Sequence, residues 1–255
     1  MPVLQNKFPV LEFDPDNSAL VMPNILRDGI TLPDKAVFAF VGDHVDSFAK
    51  SVNADIATSI DSITKQFLIY VCRHKGQDIC LVQAPMGAPA AVQNLDVILS
   101  LGVKTVLATG SCGVLHDIPE NQFIVPVRAL RAEGTSYQYA PPSRFIDLDN
   151  ESVSALCNAL DKQNIPYLRG TTWSTDCFFR ETADIVQLRR DEGCDTVDME
   201  CSALAACAQF RGARFAQLFF TADSLANVND YDCRGFGVSS REKALELCVD
   251  LITDM

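Results

Sequence analysis

Along most of this chain, short apolar runs rich in β-branched and aromatic residues alternate with stretches of helical periodicity. That alternation belongs to a sheet whose strands are connected through helices. It predicts strands near Ala36–Val41, Phe67–Cys72, Ile79–Ala84, Lys104–Thr109, Phe123–Arg128, Tyr167–Thr172, Asp195–Val197 and Arg214–Thr221. Several of these runs are continuously apolar, as in strands covered on both faces. Helices are predicted over Asp43–Val52, Ala88–Leu101, Asn150–Gln163, Thr182–Glu192, Glu200–Arg211 and Ser239–Ile252. The second carries Pro89 in its first turn and Val92, Leu95, Ile98 and Leu99 on one face. The last has Ser239 or Ser240 as its cap and a stripe of Ala244, Leu245, Cys248, Leu251 and Ile252.

At 255 residues and 48% hydrophobic content, the chain can bury a full core as one domain. Pro141-Pro142-Ser143 and Asn227–Gly237 read as loops, too short to link domains, and no internal repeat is present. No apolar run approaches the about 18 residues of a membrane span, and the first residues lack the basic and apolar regions of a signal peptide. The expectation is a cytoplasmic protein without a membrane partner. Ten scattered cysteines without an export signal are expected to be reduced and mostly buried. No C-x-x-C pair exists, and His44, His74 and His116 lie far apart, so no metal is expected, even at the local cluster of Cys72, His74 and Cys80. A formal charge of −12 opposes binding to nucleic acid, which needs a basic face.

Three segments could carry chemistry. Val106–Leu115 is an apolar strand that runs into a small-residue turn, Gly110-Ser111-Cys112-Gly113, where backbone N–H groups and a hydroxyl can converge on an anion. The spacing is neither that of a P-loop, nor of a dinucleotide fingerprint, nor of a nucleophile elbow, and a plain tight turn is the alternative. Cys112 with His116 would be a thiol nucleophile only if the two met. In Asp195–Cys207 a short strand ends in carboxylates and enters a helix of small and apolar residues. There Glu200 either complements the helix dipole or, if buried, needs a partner such as a ligand hydroxyl. Phe219–Leu225 is an apolar strand that delivers Asp223 at its C-terminal end, where open α/β sheets place ligands. A desolvated Asp223 could protonate a leaving group; otherwise it caps the following turn.

Taken together, these segments resemble the nucleoside phosphorylase/nucleosidase superfamily, of the purine nucleoside and uridine phosphorylase type, over about residues 36–253. The resemblance is carried by Gly110-Ser111-Cys112-Gly113 after Gly102-Val103-Lys104, by Val197-Asp198-Met199-Glu200, similar to V-E-M-E, and by Thr221-Ala222-Asp223, similar to the family's S-D. Met86-Gly87-Ala88-Pro89 and Val41-Gly42-Asp43 are similar to further family turns. Arg131–Tyr137 and Trp173–Thr182 resemble a branch carrying D-E-G-T-S-Y and W-T-T-D-x-x-Y-R-E-T. The resemblance implies one α/β domain over 1–255, a mixed central sheet forming a partly closed barrel flanked by helices, with 1–35 as an N-terminal extension packed on it.

It also implies cleavage of an N-glycosidic bond through an oxocarbenium-like centre, with no cofactor beyond phosphate as a co-substrate. By motif match, Glu200 would accept from the ribose hydroxyls, Met199 would pack beneath the sugar and Phe178 would stack on the base. Asp223 would protonate or hydrogen-bond purine N7, with Arg241 in support and Arg234 as its competitor. Ser111, Gly110, Gly113 and Gly42 would line the acceptor pocket, and Arg180 after Phe178 would bind uracil oxygens if the base were a pyrimidine. The family's phosphorylases carry arginines where this chain has Asp46 and Ala108, and an aspartate in place of arginine repels a phosphate dianion. Two acceptors therefore stand: water activated by Asp46 or Asp43, as in the family's nucleosidases, or phosphate with charge from Arg128, Arg131 or Arg180. A non-catalytic nucleoside- or base-binding protein is the alternative to an enzyme, and an NAD-dependent dehydrogenase lacks its glycine fingerprint. The resemblance further implies a homo-oligomer, whether dimer, trimer or hexamer.

Overall fold

A computed structural model describes residues 3–25, 27 and 29–255. Its strands are β1 Lys35–Ala39, β2 Asp55–Asp61, β3 Gln66–His74, β4 Gln77–Gln83, β5 Thr105–Val114, β6 Phe123–Ala132, β7 Phe145–Asp147, β8 Tyr167–Thr175, β9 Thr196–Asp198 and β10 Arg214–Ser224. Its helices are α1 His44–Ser51, α2 Ala88–Ser100, α3 Asn150–Lys162, α4 Ala183–Asp191, α5 Cys201–Arg211 and α6 Arg241–Ile252.

One mixed sheet runs in the order β10-β6-β8-β9-β5-β1-β4-β3-β2, and β10 also pairs with β5. That extra pairing closes β5, β10, β6, β8 and β9 into a five-stranded barrel, from which β1, β4, β3 and β2 extend as an open wing. The closure depends on the length of β5. Its first half lies between β1 and β10 in parallel register, Ala36 and Phe215 both opposite Val106. Along its last residues β9 replaces β1, pairing antiparallel with Gly113 opposite Val197, while β10 remains paired as far as Val114. Every residue of β5 except Ser111 is buried, as the continuous apolar run requires.

The predicted helices all form, with differences at their ends that have local causes. α5 begins at Cys201 because the Asp198 carboxylate, not Glu200, accepts from the backbone N–H groups of Glu200 and Cys201, at 2.7 and 2.6 Å. α6 begins at Arg241, preceded by a 3₁₀ turn over Val238–Ser240. The hydroxyls of Ser239 and Ser240 donate to Asn121 Oδ1, at 3.0 and 2.7 Å, rather than capping the helix. β2 and β7 are not among the strands expected from sequence, being short or polar edge elements; β2 has one buried residue, Ile60.

The buried core follows the sheet and the inner faces of α2, α3, α5 and α6. The N-terminal segment crosses this body, with Phe13 edge-to-face on Phe210 at 6.4 Å and the Asn17 carbonyl accepting from Arg211 at 2.8 Å. All ten cysteines are free thiols, and only Cys177 and Cys233 are exposed. No described helix is long and apolar enough to cross a membrane.

Candidate active site

A cavity of about 1240 Å³ opens at the C-terminal ends of β5, β9 and β10, the position at which α/β sheets gather loops around a ligand. A smaller cleft of about 540 Å³ at the opposite strand ends is lined by Asp96, Lys104 and Arg211 and holds none of the residues singled out from the sequence as chemical.

The Gly110–Gly113 segment is not the expected turn. It is extended strand, and neither glycine has a positive φ, so no anion nest forms there. Small residues are required for a different reason. A Cβ on Gly110 would lie 2.9 Å from the Phe40 Cβ, and one on Gly113 would lie 2.9 Å from Val197 Cγ1 and 3.4 Å from Asp223 Oδ1. The missing side chains let the strand form a flat cavity wall, with the Ser111 side chain exposed into it.

The turn between β9 and α5 separates two neighbouring carboxylates. Asp198 is wholly structural: besides capping α5 it accepts from the hydroxyls of Thr172 and Ser174, each at 2.9 Å. Glu200, relieved of capping, reaches the cavity and accepts from the Gly87 N–H at 2.6 Å. Gly87, at φ +92°, aims its N–H at this carboxyl from the start of α2. Burial, reinforced by the charge of Asp198, pushes the Glu200 carboxyl up from 4.5 to about 8. The carboxyl faces the cavity, where a ligand hydroxyl can meet it.

At the end of β10, Asp223 faces the cavity and accepts from the Tyr231 hydroxyl at 3.0 Å. Met199, Phe178, Gly42 and Arg241 also line the cavity, and the Arg241 guanidinium makes no hydrogen bond or ion pair among the described residues. Arg234 lies outside, held by the Ala222 carbonyl and Asp232.

Several sequence expectations are not met by this arrangement. Asp46 is not among the lining residues; it sits in the first turn of α1 and accepts from Tyr70 at 2.9 Å. Arg180 is exposed and outside the cavity, because the 3₁₀ turn Phe178–Arg180 directs the next residue, Glu181, inward instead. Arg131 is consumed by Ser136, Ser143 and the carbonyls of Ala140 and Pro141, and Arg128 by Asp147. Cys112 is buried, which pushes its thiol well up, and His116 bonds the Cys194 carbonyl. That removes the thiol-nucleophile reading.

The residues missed from sequence are Lys65, Gln217, Glu181 and Tyr231. Lys65, in the β2–β3 hairpin, lines the cavity and donates to Gln83 at 2.5 Å and Asp43 at 3.4 Å. Gln217 lies opposite Ala108 in the β5–β10 register and brings a buried amide whose Oε1 has no partner. Nothing local marked either residue, since both reach the site through strand pairing. Glu181 lies within the Trp173–Thr182 segment, beside Arg180, whose charge is the more conspicuous feature of that segment.

A model of the phosphorylase superfamily matches residues 34–252. Guanosine phosphorylase of Halorubrum lacusprofundi is 25% identical over 151 residues, 59% of this chain and 63% of that protein, so the match spans less than two thirds of the relative. A DeoD-type purine nucleoside phosphorylase of Buchnera aphidicola is 24% identical, over 71% of this chain and 75% of its own. Among solved structures, uridine phosphorylase from Vibrio fischeri superposes with a TM-score of 0.75 at 21% identity, covering 92% of this chain and 95% of that one. AMP nucleosidase from Bacteroides thetaiotaomicron superposes at 0.68 and 20% identity, covering 87% and 88%. At these identities the superpositions establish the shared fold, closed barrel included. With the family match covering nearly the whole of the sheet and its helices, the chain belongs to the phosphorylase superfamily.

Proposed function

We propose that this protein cleaves the N-glycosidic bond of a purine nucleoside, with inorganic phosphate as acceptor. The observation that carries the reading is that Glu200, Asp223 and Ser111, from three separate elements, line one cavity. A sugar held by Glu200 over Met199 would place its base between Phe178 and Asp223 and its reactive carbon toward Ser111. Charge develops in opposite senses as the bond breaks, positive on the sugar and negative on the base. A carboxyl at the hydroxyls and an acid at the base answer both. Asp223 favours a purine, since a protonatable ring nitrogen away from the glycosidic bond is what it would serve, and the exclusion of Arg180 removes the group expected for uracil. Arg241, unpaired at the start of α6, supports the acidic end.

Phosphate is supported by Lys65, a cation of the cavity wall other than the arginines expected to supply that charge. Gln217 supports it as well, because its orphaned Oε1 can accept from the one protonated oxygen of hydrogen phosphate. Water as acceptor has less support, since neither Asp46 nor Asp43, the carboxylates expected to activate it, is among the lining residues. A cytoplasmic homo-oligomer acting in purine salvage fits this reading: Phe179, 87% exposed at the cavity mouth, is an apolar surface that a second copy would cover.

Incubation with a panel of nucleosides, with and without phosphate, tests the proposal. Purine release that requires phosphate is expected. Release that persists without phosphate would make the protein a nucleosidase, and tight binding without turnover would make it a binding protein. Asp223→Asn is expected to slow purine release by about 10²–10⁴-fold.

A further inference from the structure

Glu181 is the residue of this cavity that no role above absorbs. It follows the 3₁₀ turn Phe178–Arg180, its backbone N–H donates to the Phe178 carbonyl at 3.1 Å, and its side chain lines the cavity half-buried. Among the described residues its carboxyl makes no hydrogen bond and no ion pair. The titratable and charged groups of the cavity are Asp223 at the end of β10, the Tyr231 phenol in the loop that follows, Asp198 and Glu200 further along the wall, Arg241 at the start of α6, and Lys65, which donates to Gln83 and Asp43. On its own segment, Arg180 is exposed, and Arg190 of α4 is held by the carbonyls of Leu115, Leu225 and Ala226. Tyr231, pushed up by burial and by Asp223, stays protonated and donates to Asp223. Two carboxyls thus share one wall of the cavity, without a cation bonded to either among the described residues, and the charge of Asp223 disfavours ionisation of Glu181. Consistent with this, burial and the charge of Asp223 push the Glu181 carboxyl up from 4.5 to about 8.

We infer that Glu181 is a second acid of this site, holding beside Asp223 the proton that the pair delivers to the departing base. The inference rests on the nucleoside-cleaving activity proposed above. As the bond between the sugar carbon and the base nitrogen breaks, its electron pair goes to the base. A base ring nitrogen takes the proton from the Glu181–Asp223 pair, directly or through Asp223, and a phosphate oxygen bonds the sugar carbon. The pair is left with both carboxylates charged and regains its proton from solvent, to which the phosphate ester releases one. A purine is the base class served, because its imidazole ring offers such a nitrogen.

The test combines kinetics with direct titration. Glu181→Gln keeps size and polarity but has no proton to give. We expect kcat to fall about 100-fold with KM changed little, and the alkaline fall of activity near pH 8 to disappear. A merely structural role would not move that limb. Infrared difference titration of the ligand-free protein should show neutral carboxyl signal lost near pH 8, reduced by one carboxyl in Glu181→Gln and shifted to lower pH in Asp223→Asn. An unchanged limb with a rate within about threefold of wild type, or an infrared signal undiminished by Glu181→Gln, overturns the inference. If the wild-type protein cleaves no nucleoside while the infrared changes are as expected, the proposed activity falls, and delivery to a base with it, but the shared proton stands.

Discussion

Replacing Glu200 by Gln should make the protein more stable and less active, with the gain in stability developing as pH rises toward 8 and persisting above it. Glu200 is 7% exposed, and its carboxyl is raised from 4.5 to about 8 by burial and the neighbouring Asp198 charge. Between those values the folded protein binds a proton that the unfolded chain has released. Stability therefore falls as pH rises, by about 1.4 kcal/mol per pH unit, and levels off above about 8. Across the whole interval the ceiling is about 4–5 kcal/mol. Cavity water screens the charge, so we expect about 2 kcal/mol to be realised. The substituted amide would keep the shape and the oxygen that accepts from Gly87 but would not ionise. At pH 5 the variant should match wild type to within about 0.5 kcal/mol. At pH 8 it should be more stable by about 2 kcal/mol, a rise of about 4–8 °C in Tm for a domain of this size. Activity should move the other way, by about 100-fold in kcat/KM, because an amide cannot take on the negative charge that answers the positive charge developing on the sugar. Urea and thermal unfolding across pH 5–9, beside initial rates, measure both. Stability curves for the two proteins that run parallel across this range would refute the reasoning, because a constant offset means that Glu200 does not hold its proton on folding.

Gly113→Ala should cost about 1–3 kcal/mol and slow turnover, since the new Cβ meets Val197 at 2.9 Å, Leu225 at 3.1 Å and the Asp223 carboxyl at 3.4 Å; chemical denaturation and kcat at saturating substrate check both effects. Asp96→Asn should destabilise by about 2–3 kcal/mol while leaving the activity of the folded enzyme intact. The Asp96 carboxylate receives Arg211 at 2.7 and 2.9 Å and Tyr139 at 3.0 Å, tying α2 to α5 away from the cavity. Lys65→Met should raise KM for phosphate about tenfold, with KM for the nucleoside unchanged, in steady-state kinetics with each substrate varied. Alkylation of the native protein, followed by mass spectrometry, should label Cys177 and Cys233 alone, and all ten thiols after unfolding.

Much of the fold was legible because the signals for it are local. The runs that became β5 and β10 are apolar over more residues than a one-sided strand allows, and the α2 stripe with Pro89 marks a helix start without reference to anything else. The polar edge strand β2 was not legible, since a strand with one buried residue lacks the alternation that reveals it. The carboxylates of the site could be named from motifs, but their division of labour could not. Asp198 and Glu200 lie two residues apart and were equally acidic on paper. Only the turn into α5 shows that one caps a helix while the other faces the cavity.

From sequence alone come the alternation of elements, the burial of the central strands, and the presence of Glu200, Asp223 and Ser111 in segments characteristic of the superfamily. These follow from periodicity and residue chemistry, which act over a few positions. The tertiary structure alone decided that Gly110 and Gly113 serve close packing rather than a turn, that Asp46 and Arg180 stay outside the cavity, and that Lys65, Gln217 and Glu181 enter it. Those outcomes depend on strand register and barrel closure, which bring together residues more than a hundred positions apart, such as Gln217 and Ala108. No local pattern records such neighbours, because the free energy that pairs them is spread over the whole sheet.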